Sequence, residues 1–139
     1  NGIYKIGLWA DIITIHGITC DGMLNILGNN SPKILIVAQM SSSNNIIIDD
    51  YTQKCYKIAL KYPKKVLGFI TQKRFIEDSN FLFLTPGVKI VMENVLDQNF
   101  RTPKQAIEED GNDIIIVGSG IYNSKKGNIE DIIEKYKFI

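Results

Sequence analysis

The feature that most constrains this chain is a series of short apolar runs with little alternation, each followed by a loop and most by a helical pattern. Lys33-Ile-Leu-Ile-Val-Ala38 and Val66-Leu-Gly-Phe-Ile70 are apolar almost throughout. Such strands have to be covered on both faces, and in a β-α-β-α order that means a parallel sheet wrapped by helices. The expected class is α/β, built from five strand-helix units.

The first unit runs from Ala10–Ile15 to His16-Gly17, where Asp21 is expected to cap a brief helix through Met23, Leu24 and Leu27 that stops at Gly28. In the second, Lys33–Ala38 leads through a polar loop, Ser41 to Asn45, into a helix capped by Asp49 or Asp50. Along it Tyr51, Cys55, Ile58, Ala59 and Tyr62 recur at three- and four-residue steps, with Lys54, Lys57 and Lys61 opposite and Pro63 at the end. Val66–Ile70 is the third strand, and the charged segment 72–80 reads as a loop or short helix. Phe81–Leu84 is the fourth strand. A long loop then reaches Arg101, after which Thr102 and Gln105 form a capping box around Pro103, and Gly111 closes the helix. Asp113–Val117 is the fifth strand, Gly118-Ser-Gly120 a turn, and Asn128 caps a last helix with Ile129, Ile132, Ile133 and Tyr136 on one face.

Composition limits the function. Of 139 residues, 45% are hydrophobic and 22% charged, enough for one soluble domain with a real core. Sixteen basic against fifteen acidic residues leave a charge of +1, so bulk electrostatics select neither nucleic acid nor an anionic membrane. Cys20 and Cys55 lack Cys-x-x-Cys spacing and the chain has a single histidine, which argues against zinc and for reduced thiols in the cytoplasm. No apolar run approaches a membrane span and no signal-peptide pattern is present. Asn1 is not an initiator, and Asn1–Ile6 reads as an element already under way.

Pattern alone fits both a doubly wound sheet and part of a (β/α)8 barrel. The glycine-bearing loops favour the barrel, because barrels hold phosphate after their last two strands and here Thr85-Pro-Gly87 and Gly118-Ser-Gly120 follow the last two strands of the chain. The strand count falls short of eight by three.

Trp9-Ala-Asp11 with His16-Gly17, Ala38-Gln-Met-Ser-Ser42, Val66-Leu-Gly-Phe-Ile70, Leu84-Thr-Pro-Gly-Val88, Arg101-Thr-Pro103 and Asp113-Ile-Ile-Ile-Val-Gly118 together resemble orotidine 5'-monophosphate decarboxylase, closest to its eukaryotic branch. The motifs are collinear and span nearly the whole chain. The resemblance implies a (β/α)8 barrel that works as a dimer without metal or organic cofactor and converts orotidine monophosphate to UMP. Residues 1–139 look like its last five strand-helix units, an incomplete barrel lacking the N-terminal strands.

The family's chemistry rests on an Asp-x-Lys-x-x-Asp segment whose lysine protonates the carbon that loses its carboxylate. The resemblance puts that segment before Asn1, and no lysine here stands in such spacing, so no catalytic residue is assigned. As substrate-binding residues it implies Ser41 on the pyrimidine amide, Pro86 beside the ring, and Gln98, Gly118, Ser119 and Gly120 around the phosphate. Two positions depart from the pattern. Phe100 stands where the family has tyrosine, and Ser119 where it has arginine. Loss of a buried partner to a phosphate costs about 2 to 5 kcal/mol, so a weakened site is expected.

Plainer readings accompany each feature. Gly118-Ser-Gly120 taken alone is a tight turn out of a strand. His16 reads as a packed, hydrogen-bonded side chain, Asp11 as a structural carboxylate, and Lys64-Lys65 and Lys125-Lys126 as solvated turns. Two functional expectations result: a decarboxylase-derived module that no longer catalyses and serves as a scaffold or subunit, or the C-terminal portion of an active decarboxylase. Five strands cannot close a barrel, so two sheet edges and part of the inner face are expected to be open, and a dimer, a complementing fragment or a larger assembly is expected as partner, with UMP or orotidine monophosphate held weakly.

Overall fold

A computed structural model describes residues 3–90, 100–123 and 128–137. A 3-10 turn, Ile6–Leu8, leads into β1 (Ile12–His16) and α1 (Cys20–Ile26). Then come β2 (Lys33–Val37), α2 (Asp49–Lys61), β3 (Val66–Ile70), β4 (Leu82–Thr85), a π-helical segment (Gln105–Glu109), β5 (Ile114–Ile115), α3 (Ser119–Tyr122) and α4 (Ile129–Lys137). All five expected strands form.

The strands make one parallel sheet in the order β1-β2-β3-β4-β5. That order excludes the doubly wound alternative, which needs a reversal of strand order. Because parallel crossovers share one hand, a sheet that adds each new strand on the same side carries its helices on one face. This is the arc of a barrel wall, and the α/β barrel-type fold expected from the sequence is the one observed.

Register divides the strand residues between two faces. Ile13, Ile15, Ile34, Ile36, Phe69 and Phe83 point to the helices, where Cys20 and Leu24 of α1 and Cys55 and Ala59 of α2 join them in the core. Phe69 sits at its centre, with the rings of Phe75, Phe81 and Phe83 between 5.2 and 5.6 Å away. The other face carries Ile12, Leu35, Ile70, Leu82 and Ile114. Leu35 and Ile70 are sheltered in the middle strands, but Ile12, Leu82 and Ile114 are 48%, 38% and 42% exposed. The expectation that every strand is covered on both faces is therefore corrected. With all the crossovers on one side, the described residues leave the inner side of the arc bare.

Between β3 and β4 the backbones approach so closely that a side chain on Gly68 would stand 1.9 Å from the Leu82 carbonyl oxygen. Only glycine fits there. The capping box forms as read: Thr102 N donates to Gln105 Oε1 at 3.0 Å, and Gln105 N to Thr102 Oγ1 at 3.2 Å. The turn that follows widens into the π-helical segment, where Asp110 N reaches the Gln105 carbonyl, and Gly111 leaves it at φ +71°. Asn128 accepts the Glu130 N–H at 3.4 Å at the start of α4.

Several local expectations are corrected. Asp21, Asp49 and Asp50 are not caps. Thr19 and Ile48 precede the helices with no side-chain capping bond, and the aspartates lie inside the first turns, where their charge complements the helix dipole. α1 ends before Gly28, at Ile26. Segment 72–80 needs no correction: it is a loop, one of the two readings that the sequence allowed. His16 is exposed at the end of β1 instead of packed. Lys65 is not a solvated turn residue either: its Nζ donates to the Leu24 and Leu27 carbonyls, both at 2.7 Å, closing the C-terminus of α1. Lys125 and Lys126 lie outside the described residues.

Candidate nucleotide-phosphate site

Parallel strands end together, so the loops after β1 to β5 gather at one rim. The rim is fixed first by side chains that bond the ends of neighbouring strands. Tyr51 of α2 accepts the Gly17 N–H at 2.7 Å and donates to the Val37 carbonyl at 3.0 Å, tying the end of β1 to that of β2. Gly17 has no room for a side chain, since a Cβ would lie 2.4 Å from Cys55 Sγ. This explains the glycine of the His16-Gly17 motif by packing. Burial pushes the Tyr51 hydroxyl up to about 12 and the Cys55 thiol up to about 11, and it also raises Cys20, so these groups stay neutral.

The turn after β3 is held by Gln39, whose Oε1 accepts the backbone N–H groups of Gln72 and Lys73 at 2.8 and 3.1 Å and lies 2.7 Å from Thr71 Oγ1. Next to it stands Arg101. Its Nη1 donates to the Gln72 carbonyl and pairs with Asp110 Oδ2 at 2.6 Å. Its Nη2 donates to Thr85 Oγ1 and, at 3.2 Å, to the Pro86 carbonyl. The backbone joins in, with Arg101 N bonded to the Gly87 carbonyl and Lys89 N to the Arg101 carbonyl, both at 3.0 Å. One guanidinium thus fixes the Thr85-Pro-Gly-Val88 turn against β3 and the helix that precedes β5.

Of the sequence-derived site residues, Pro86 and the Gly118-Ser-Gly120 turn follow the adjacent strands β4 and β5, and all four are half-buried. Ser41 is half-buried in the loop after β2, at the same rim but separated from Pro86 by β3. Beside that loop lies a cleft of about 210 Å³, lined by Gln39, Met40, Asn45, Ile47, Ile48 and Thr52. Gln98 lies outside the described residues. A larger hollow, about 500 Å³, is bounded by Lys33, Pro63 and Val66 at the opposite ends of the strands, away from every site residue.

The two glycines of the last turn differ. A Cβ at Gly118 would meet nothing within 4 Å, so its face is open, whereas one at Gly120 would lie 2.5 Å from the Tyr136 hydroxyl. A side chain at Gly120 would therefore push against Tyr136 of α4, whereas Gly118 leaves space where a ligand could approach the backbone. Ser119 opens α3. Sequence reasoning did not single out Gln39, Thr71 or Lys89, and it noted Arg101 only as part of a motif. Among the described residues no group of three or more His, Cys, Asp or Glu side chains is placed to hold a metal, and no helix is long and apolar enough to cross a membrane.

Comparison with known proteins gives the family of the chain. An orotidine 5'-phosphate decarboxylase from Schizophyllum commune is 33% identical over 95% of this chain and 53% of its own length. One from Aureobasidium pullulans is 38% identical over 89% of this chain and 48% of its own. Uridine 5'-monophosphate synthase of Bos taurus is 34% identical over 89% of this chain and 27% of its own. The chain thus spans about half the length of the fungal relatives it matches. The model of the orotidine 5'-phosphate decarboxylase / HUMPS family matches residues 1–134, and the chain belongs to that family.

Proposed function

We propose that residues 1–139 form one unit that supplies the phosphate-binding portion of an orotidine 5'-phosphate decarboxylase, in which further β/α units complete the barrel and bring the proton-donating lysine. The observation that carries this reading is the bare inner face. An apolar sheet face with Ile12, Leu82 and Ile114 exposed marks a surface that another element covers, and in a sequentially ordered parallel sheet the fitting cover is the rest of the barrel wall. Those units can belong to the same polypeptide or to a partner. In this reading Ser41 meets the pyrimidine and Pro86 lies beside the ring, while Gln98, Gly118, Ser119 and Gly120 surround the phosphate. No metal or organic cofactor takes part.

A second reading, a family member kept as a non-catalytic scaffold or subunit, is favoured by Phe100 and Ser119, which lack the hydroxyl and guanidinium that the family pattern places on the phosphate. Turnover of orotidine monophosphate by the intact protein, with UMP raising its melting temperature, is the result expected of the first reading. Absence of both would leave the scaffold reading standing. The double substitution Ser119→Arg with Phe100→Tyr should tighten UMP binding, and unchanged affinity would show that these residues do not face the phosphate.

A further inference from the structure

We infer that Lys89, and not a residue of the Gly118-Ser-Gly120 turn, supplies the positive charge for a phosphate monoester dianion at this rim. The inference rests on the proposed phosphate site. Lys89 is only 7% exposed, a degree of burial seldom seen for lysine unless its charge is compensated. Its Nζ stands 4.0 Å from the centroid of the Phe100 ring, close enough for an attractive cation–π contact. Its stem lies along the other loop, with Cγ 3.5 Å from where a Gly120 side chain would begin. The next residue is anchored as well, Ile90 N donating to the Tyr136 hydroxyl at 3.2 Å.

The ammonium is thereby held between the loops that follow β4 and β5, the pair of adjacent loops that barrels use for phosphate. Among the described residues it forms neither a hydrogen bond nor an ion pair. An aromatic face offsets only part of the cost of removing an ammonium from water, and a dianion in the open space over Gly118 would complete the balance. The two departures from the family pattern then fit together. Phe100 has no hydroxyl to give a phosphate, but its ring seats a lysine. Ser119 is too short to reach as arginine does, and leaves room for that lysine to act.

The test is calorimetric titration of the full protein with UMP and with uridine. Wild type should prefer UMP. Lys89→Gln should weaken UMP binding by about tenfold or more and leave uridine binding unchanged, and Lys89→Arg should keep most of the preference. Should Lys89→Gln fail to fold, acetylation of the wild-type protein by acetic anhydride, read by mass spectrometry, gives the same answer: UMP should shield Lys89 and uridine should not. UMP binding that Lys89→Gln does not alter, or equal labelling of Lys89 with and without UMP, would overturn the inference while sparing the proposed site. A wild-type protein that does not bind UMP at all would overturn both.

Discussion

The two faces of this sheet are made from the same kinds of residues and have different fates. On the helix side Ile34, Ile36, Phe69 and Phe83 are fully buried, while Ile12, Leu82 and Ile114 on the other side remain about two-fifths exposed or more. Hydrophobicity therefore does not decide which face is covered. Strand order does, because sequential parallel pairing places the helices of α1 and α2 against one face only.

The comparison breaks if a deletion on the helix side is tolerated. Phe69→Ala removes the ring around which Phe75, Phe81 and Phe83 pack and should cost about 3 to 5 kcal/mol, read from urea unfolding monitored by circular dichroism. A loss near zero would mean that this core is not the stabilising one. Gly68→Ala probes the seam between β3 and β4, where the added methyl would strike the Leu82 carbonyl. A cost of about 1 to 3 kcal/mol is expected, and a neutral result would show that the strands stand further apart.

Alkaline pH tests the covered face without moving an atom of its packing. Burial lifts the folded-state Cys55 thiol from the ordinary value of 9.0 to about 11, so its neutral form is favoured by folding. The associated stability is complete below about pH 9 and is lost as pH rises toward 11, because only the unfolded chain ionises readily in that window. Melting temperature should fall across it, and by less in Cys55→Ala; an identical fall in both would remove the thiol as the cause. The smallest effect belongs to the bare face. Ile114→Ser in the 139-residue chain should change stability by no more than about 0.5 kcal/mol, and a larger loss would show that this face is already covered.

Much of the architecture was legible in the residues. Apolar runs such as Lys33–Val37 and Val66–Ile70 can hardly be anything but buried parallel strands, and the Thr102/Gln105 box announced its helix. The bare face was legible only from the strand count, since five strands cannot close a barrel; the apolar pattern does not show it, because a parallel strand buried on both faces and one awaiting a cover look the same. Helix starts at Asp21 and Asp49 were misplaced since an acidic residue is equally at home at a cap and in the first turn. In the candidate site the structure gives packing reasons for two motif glycines, Gly17 and Gly120, each pressed by a neighbouring side chain. Lys89 and Arg101 were harder. A charged residue in a loop reads as solvated, and only the packing of distant segments reveals that these two are enclosed.

Arg101 has a consequence for how a ligand would be received. Its guanidinium spans Gln72, Thr85, Pro86 and Asp110, so the turn bearing Pro86 is fixed before any ligand arrives. The entropy of ordering that turn is spent during folding and is not charged to binding. Neutralising Arg101 would then show itself first as a larger unfavourable entropy of ligand capture, even where every direct contact to the ligand is kept.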